Sequence, residues 1–417
     1  MHDDARTTAD AAAEPGGGNR RSRLLRRLAL IGPAFVVGAW QFGPGNLTSA
    51  VQAGGLFGYR LIWVIVVSTA LMIMFTDMSV RIALSSGESM VETVKRVLGK
   101  VTGVLAGIGV FGISLMFSVG NAVGSGLGLS LVFGGSPVIW TLVCTVVVAV
   151  VVLARDFYTV VERLLLAIVV LMAVGFIASA VLTRPDWGDV AAGFIPNLPP
   201  GVGLLLIALV GTNFSINAAF YTGYATRERG LTRSQYRDVT ISDTIPGIVA
   251  PGIMTILVIV AGAAALGGSS GGTLQQLAEV LEPVAGPAGR IIFALGFFGA
   301  AFSSMVANAT AGGTLLSDGL GWGNRLSSRR VRAMILVVLA FGALVAVLAQ
   351  GSPVELIILA QALTVLVAPF LGVLLFLLAN TRRLMGDLRN RWWQNIVATI
   401  GLLSIAATCL RLITTFS

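Results

Sequence analysis

The sequence predicts an all-α integral membrane protein with eleven transmembrane helices. Only 11% of its 417 residues are charged, whereas a soluble domain has about a quarter. The mean hydropathy is +0.89, and apolar runs of about 20 residues, the length that crosses a bilayer, recur from end to end. The predicted spans have the approximate limits 31–55, 60–84, 101–133, 135–154, 159–183, 202–226, 245–267, 287–316, 331–350, 353–379 and 391–415.

Residues 1–27 precede the first apolar run and differ from it in composition. The segment is polar, rich in Ala and Gly, and ends in a cluster of arginines. It lacks the small-residue cleavage site that is typical of a signal peptide. We therefore predict a cytoplasmic disordered tail followed by the first span.

Basic residues indicate the orientation of the spans. All but four of the 28 Lys and Arg residues fall on the side of the membrane that carries the N-terminus; the exceptions are Arg60, Arg184, Arg290 and Arg411. The positive-inside rule then predicts a multi-pass protein of the cell (inner) membrane, with its N-terminus in the cytoplasm and its C-terminus outside. This asymmetry accounts for the net charge of +9, so no nucleic-acid partner is predicted beside the lipid bilayer.

The segment "WQFGPGNLTSAVQAGG" (40–55) places Gly-Pro-Gly-Asn inside span 1. Gly and Pro interrupt a helix and expose backbone groups that lipid cannot satisfy, so such a break persists only where it lines a cavity within the protein. Many secondary transporters bind their substrate at a break of this kind. Gln41, Gly43, Pro44 and Asn46 are therefore candidate substrate-binding residues.

A second polar patch lies five spans later, in "GVGLLLIALVGTNFSINAAFYTGY" of span 6. Its polar residues predict a partner break without a proline. Two repeats of five spans have opposite topology, which predicts repeat 1 at 28–183, repeat 2 at 202–379 and a final helix at 391–415. The candidate substrate-binding residues of this patch are Gly211, Asn213, Ser215 and Asn217.

Several stretches resemble the Nramp family of divalent-metal transporters in order along the chain. They are "GPAF", "PGN" and "AGGLFGYRLIWV" in the first two spans, and "AQALTVLVAPF" and "TRRLMGDLRN" around span 10. The resemblance implies a LeuT-type inverted repeat with broken helices 1 and 6, and secondary transport by alternating access.

The functional residues of the family are largely replaced. The family's Asp-Pro-Gly-Asn becomes a motif in which Gly43 stands for the Asp and Asn46 remains. Its Met-Pro-His becomes Ser215, Ile216 and Asn217. The substituted proton-route positions are Ser118, Asn121 and Thr222. A Gln of span 10 aligns with Val367, although Gln361 lies nearby.

These replacements decide the predicted substrate. A site without carboxylate, thioether or imidazole argues against transition-metal binding. The exchange of Asp for Gly and of Met for Ser also removes side-chain volume. We therefore predict a small polar organic solute, bound with help from Asn121 and Gln361. The alternative is a divalent cation of the Mg²⁺ or Mn²⁺ type, partly hydrated and met by carbonyls, Asn46 and Asn217; a second alternative is a receptor or sensor without transport.

No cofactor, resident metal or catalytic residue is predicted. The single histidine is His2, and both cysteines, Cys144 and Cys409, lie inside apolar spans without metal-ligand spacing. The chain offers no nucleophile, base or metal cluster, so an enzyme is the least favoured class. The sequence leaves the oligomeric state open.

A few ionisable and aromatic residues remain near the span ends. Asp77 and Arg81 are spaced for an intrahelical ion pair near the cytoplasmic end of span 2, with a gate or proton site as the alternative. Asp243 and Asp318, like Glu88, are predicted in loops or at the interface. Trp392 and Trp393 are typical of an interfacial anchor.

Overall fold

A computed structural model of the chain describes residues 38, 40–153, 158–269, 271–349 and 351–416, with backbone alone for 158–166, 168 and 416. Every regular element in these ranges is helical, which confirms the all-α fold class. The predicted cytoplasmic tail (1–27) and the first ten residues of predicted repeat 1 (28–37) lie outside the described residues.

Seven helices of the described part are long and apolar enough to cross a bilayer, and they correspond to predicted spans 2, 3, 6, 7, 8, 9 and 11. Their limits are Ile62–Ser86, Lys100–Phe133, Gly203–Glu228, Arg233–Leu266, Pro287–Gly319, Arg329–Leu348 and Trp392–Thr415. Span 10 is a bent pair, Pro353–Leu366 and Ala368–Asn380, and spans 1, 4 and 5 contain the helices Pro44–Phe57, Pro137–Leu153 and Tyr158–Leu182. The multi-pass membrane fold is confirmed, whereas the total of eleven spans stays a prediction.

Spans 3 and 8 form the most extensive helix pair in the described structure. Glycines let the two backbones approach: a β-carbon on Gly107 would lie 2.8 Å from the carbonyl oxygen of Leu315, and one on Gly128 would lie 2.7 Å from Phe298 Cβ. Small residues at a helix interface allow close van der Waals packing, which drives association where lipid removes the hydrophobic effect. This pair forms the scaffold beside the interrupted spans.

Span 1 is broken at the predicted position. Gly43 has extended backbone angles, and a new helix begins at Pro44, a favoured first helical position because proline lacks the N–H that is unused there. In a continuous helix residue 44 would donate to the carbonyl of Trp40. The Ser304 hydroxyl of span 8 donates to that carbonyl instead, at 3.1 Å. The break is therefore supported by a neighbouring helix.

Span 6 is also broken, without a proline. Its first half ends at Asn213, Phe214 and Ser215 depart from helical angles, and the second half is Ile216–Glu228. The Phe214 ring packs edge-on against Phe75 of span 2, with 5.1 Å between the ring centroids. Side-chain packing against span 2 thus fixes the position of this break.

Span 10 carries a bend of 40° that the sequence analysis did not predict. The two halves meet at Val367, where a short 3₁₀ turn, Thr364–Leu366, ends. Pro369 follows two residues later and has no N–H to continue the helical ladder. The bend follows from this proline, which lies within the "AQALTVLVAPF" stretch.

The predicted ion pair in span 2 is present, with 2.8 Å between Arg81 Nε and Asp77 Oδ2. Arg81 also donates to the carbonyl of Leu388 and to Asn390 Oδ1, at 2.7 and 2.9 Å. Tyr236 donates to the other carboxylate oxygen of Asp77 at 2.8 Å. The pair therefore joins span 2 to the loop before span 11 and to the segment before span 7.

Two acids expected in loops or at the interface are buried instead. Asp243 is fully buried, and Asp318 is 3% exposed. The Ser89 hydroxyl donates to the Asp318 carboxylate, and Lys95 Nζ donates to the Asp318 backbone carbonyl. The short helix Met90–Leu98 packs over the end of span 8 and buries Asp318. The prediction that this acid lies in a loop or at the interface was therefore wrong.

The predicted topology can be tested with two single cysteines in a variant that lacks Cys144 and Cys409. Gln275→Cys lies in the loop between spans 7 and 8, and Asp387→Cys lies in the loop between spans 10 and 11; both positions are exposed. We expect an impermeant maleimide to label Gln275→Cys on intact cells, and Asp387→Cys only after permeabilisation. The reverse pattern would invert the orientation.

Candidate functional site

The two breaks enclose a cavity of about 10 Å³ at the centre of the protein. A cavity of this size holds about one water-sized particle. Spans 1, 3, 6 and 10 contribute its lining, which consists of Trp40, Gln41, Gly43, Pro44, Gly45, Asn46, Phe117, Asn121, Thr212, Ser215 and Gln361.

Asn46 stands in the first turn of the second half of span 1 and is 1% exposed. The Thr255 hydroxyl of span 7 donates to its Oδ1 at 2.9 Å. Its Nδ2 has no hydrogen-bond partner. Thr255 therefore orients the amide, and one end of that amide stays available to a substrate.

Ser215 lies at the break of span 6, where its hydroxyl donates to Asn217 Oδ1 at 2.8 Å. Both side chains are buried, and Asn217 Nδ2 has no partner. Thr212 donates back to the carbonyl of Ala208 in its own helix at 3.0 Å. The hydroxyl oxygens of Ser215 and Thr212 retain lone pairs that can face the cavity.

Gln361 brings span 10 against the break. A β-carbon on Gly45 would lie 2.2 Å from Gln361 Cδ, and one on Gly120 would lie 2.6 Å from Gln361 Nε2, so the amide fits only because both positions are glycine. Gln361 is 1% exposed, and its Oε1 has no hydrogen-bond partner. A buried, unpaired acceptor is costly unless it binds something. Gln361 Oε1 is thus a buried acceptor that remains available to a ligand.

The cavity is electrically neutral, since none of its lining residues carries a charge. Within the described ranges, no three His, Cys, Asp or Glu side chains come together as a metal site. Amides, hydroxyls and backbone carbonyls supply only oxygen donors for a cation, the donor type that hard divalent ions prefer. Asn121 and Gln41 contribute further amides, each with an unpaired NH₂ group, and a rotated amide offers its oxygen.

Some predicted site residues lie elsewhere. The Asn213 amide lies 3.2, 2.6 and 3.0 Å from Ile65 O, Ser68 Oγ and Thr69 Oγ1 of span 2. Gly211 packs against the carbonyl of Gln361, and Asn217 reaches the cavity only through Ser215.

The family's proton-route positions also lie outside the cavity lining, apart from Asn121. Ser118 donates to the carbonyl of Leu115 at 2.7 Å, and Thr222 donates to that of Ala218 at 2.9 Å, both within their own helices. Val367, which aligns with the family's Gln, contacts Gly109 of span 3, so Gln361 occupies the cavity instead.

Six residues that shape the cavity are not among the predicted site residues, although Gly45 and Thr212 lie within the two predicted breaks. Trp40, Gly45, Phe117 and Thr212 line it, and Thr255 and Ser304 hold the break of span 1 through hydrogen bonds. The only signal for the last two was a hydroxyl within a largely apolar span. Trp40 and Phe117 gave none, because apolar residues in a span are expected whatever they contact.

Residues 34–415 match the protein family described as Natural resistance-associated macrophage protein-like, Nramp. A curated relative, the divalent metal cation transporter MntH of Deinococcus radiodurans, is 26% identical over 403 residues, covering 94% of this chain and 90% of the relative. These matches extend over nearly all of the described residues.

Two solved structures share the fold. The manganese transporter of Eremococcus coleocola aligns with a TM-score of 0.78 and 18% identity, over 97% of this chain and 89% of its own. MHP1, a nucleobase-cation-symport-1 family transporter solved with bromovinylhydantoin, gives a TM-score of 0.60 and 14% identity, over 91% and 89%. The LeuT-type fold is confirmed, and it is a fold that serves ions as well as organic solutes.

The prediction of a small organic solute was wrong. The curated relative is named a divalent metal cation transporter, and the structural match with the higher score is a manganese transporter. The physical error lay in the volume argument. The Gln361 amide packs against Gly45 and Gly120, and the bulky Trp40 and Phe117 also line the cavity, so the smaller Gly43 and Ser215 do not make it large. In this structure the cavity of about 10 Å³ admits about one water-sized particle.

Two asparagines give a test of this division of roles. Asn213→Ala removes an amide that ties span 6 to span 2, so we expect the free energy of unfolding in detergent to fall by about 1–3 kcal/mol. Asn121→Ala removes a cavity amide with an unpaired NH₂ group and should leave stability unchanged or higher. Equal losses in both variants would contradict the assignment.

Proposed function

Because the chain belongs to the Nramp family of membrane transporters, we propose that it carries a hard divalent metal cation, of the Mg²⁺ or Mn²⁺ type, across the cell (inner) membrane. The observation that carries this proposal is the cavity between the two breaks. Its volume of about 10 Å³ suits an ion that has shed its hydration shell, and its cation donors are oxygen atoms.

The ligands would come from three of the four spans. Gln361 Oε1 is the unpaired acceptor, and Ser215 Oγ has free lone pairs. Asn46 Oδ1 accepts from Thr255 and keeps a second lone pair for the ion. Backbone carbonyls of the lining residues beside the two breaks could add further oxygens, as unwound segments do in transporters of this architecture.

The neutral lining has a consequence for affinity. Removing a divalent ion from water is costly, and carboxylates normally offset part of that cost. With amides and hydroxyls alone, the ion binds weakly and leaves readily, which suits an ion present at high concentration. Soft ions lose the most affinity, since neither sulfur nor imidazole lies in the cavity lining.

The helix breaks supply the moving parts. In alternating access, one group of spans rocks against another around a fixed central site. Here the half-helices of spans 1 and 6 end at the cavity, while the closely packed spans 3 and 8 form the scaffold behind it. None of the side chains lining the cavity titrates between pH 5 and 8, so the ion would exchange no proton with them.

Uptake into proteoliposomes tests the proposal. We expect saturable Mg²⁺ or Mn²⁺ uptake, and a fall of about tenfold or more in kcat/KM, equivalent to about 1.4 kcal/mol, for Gln361→Ala and for Asn46→Ala. Thr222→Val is the matched control because Thr222 bonds only within its own helix; its uptake should stay within about twofold of the wild type.

Two outcomes would reject the proposal. Uptake that is unaffected by both cavity substitutions would place the ion path elsewhere. Binding of ions without any flux, in protein whose elution profile is intact, would favour the receptor or sensor function.

A further inference from the structure

A groove of about 560 Å³ lies between spans 2, 7 and 11. On span 2 it extends from Ala70 to Arg81, away from that span's outer end. Its polar end is at Arg81 and the loop before span 11, on the side that the basic residues assign to the cytoplasm. It is lined by Ala70, Ile73, Met74, Asp77, Arg81, Tyr236, Thr240, Ile245, Asp387, Leu388, Arg389, Arg391, Trp393, Gln394 and Val397.

Polarity changes along the groove. From Arg81 to Ala70, span 2 descends about 16 Å into the membrane at 1.5 Å per residue. The deep part is apolar and formed by Ala70, Ile73, Ile245 and Val397, one or more from each of the three spans. Its walls therefore suit a hydrocarbon chain that lies parallel to the spans.

The mouth carries positive charge that the protein does not use. Arg81 is neutralised by Asp77 and makes three hydrogen bonds, so it is occupied. Arg389 and Arg391 are exposed and form no ion pair with any residue that the structure describes. Asp387 is the only other acid lining the groove, so two free guanidinium groups face one carboxylate.

Trp393 stands between the two parts. It is 44% exposed at the start of span 11, where an indole ring packs on acyl chains and its N–H reaches the headgroup level. Trp392 beside it is 76% exposed, so both rings extend from the protein surface at one depth. This depth is the boundary between the apolar and the basic parts of the groove.

We propose that the groove is a binding site for an anionic phospholipid. The phosphate lies between Arg389 and Arg391, and one acyl chain follows the apolar wall past Ile245 and Val397. Basic pockets between spans on the cytoplasmic side favour anionic headgroups, and each Arg near the surface contributes to that attraction. This site is separate from the cavity at the breaks and does not depend on which ion is transported.

Lipid binding to the full-length protein, measured by native mass spectrometry, tests the proposal. The probes are dioleoyl phosphatidylglycerol and, for comparison, dioleoyl phosphatidylcholine. The test variant is Arg389→Gln/Arg391→Gln. The matched control is Arg382→Gln/Arg383→Gln, which removes the same charge from exposed arginines of the same loop outside the groove.

We expect preferential retention of phosphatidylglycerol by the wild type and the control. The test variant should bind it about 30-fold more weakly, because it loses two arginine contacts to the headgroup. Equal losses in both variants would show nonspecific surface attraction, and equal retention of both lipids would remove the headgroup site; either result overturns the proposal.

Two further arms separate the parts of the ligand. Ala70→Trp fills the apolar wall and should weaken phosphatidylglycerol binding while leaving the arginines in place. Inorganic phosphate at millimolar concentration should compete poorly, because it lacks the acyl chain. If phosphate displaces the lipid completely, the site is for a free anion, and the lipid proposal fails.

Discussion

A membrane helix that stops and restarts at its centre exposes polar backbone groups, and the surrounding protein has to satisfy them. This constraint determines the centre of the molecule. At span 1, Pro44 cannot donate to the Trp40 carbonyl, and the Ser304 hydroxyl of span 8 does so instead. Thr255 of span 7 holds Asn46, the first polar side chain after the break. The neighbouring spans are thus tied to the break by hydrogen bonds.

The same constraint determines the size of the site. Glycine at positions 45 and 120 lets the Gln361 amide approach the backbone of spans 1 and 3, which leaves a cavity of about 10 Å³. Gln361 therefore fills space and at the same time presents an unpaired oxygen. A loss of ligand volume at Gly43 and Ser215 has made the site neutral without making it large. The proposed substrate is consequently an ion held by dipoles alone.

Local sequence was enough to predict the all-α membrane fold and both breaks. Gly and Pro weaken a helix in any context, so Gly43-Pro44 predicted the first break. The polar residues between Gly211 and Asn217 are unfavourable in lipid, so they predicted the second break. The resemblance in span order also predicted the family. These features depend on composition and on neighbours along the chain.

The features that were missed depend on contacts between distant segments. The position of Gln361 follows from the glycines of two other spans, and the direction of the Asn213 amide follows from span 2. Asp318 is buried because the short helix Met90–Leu98, from a distant part of the chain, covers it. The size of the substrate that fits is another such property, because the cavity is the space that remains after the four lining spans have packed.

Calorimetry of Mn²⁺ binding to two variants at position 43 is the most direct test of whether a neutral cavity at the breaks holds the ion. Gly43→Asp adds a carboxylate beside the cavity, and Gly43→Asn adds nearly the same volume without the charge. The residue's negative φ suits either side chain, and in both variants the new β-carbon would lie 3.0 Å from Ser304 Oγ, so this contact cancels in the comparison. The account predicts that the Asp variant binds Mn²⁺ about tenfold or more tightly than the Asn variant. Equal affinities in the two variants would contradict it, because the ion would then be bound away from the breaks.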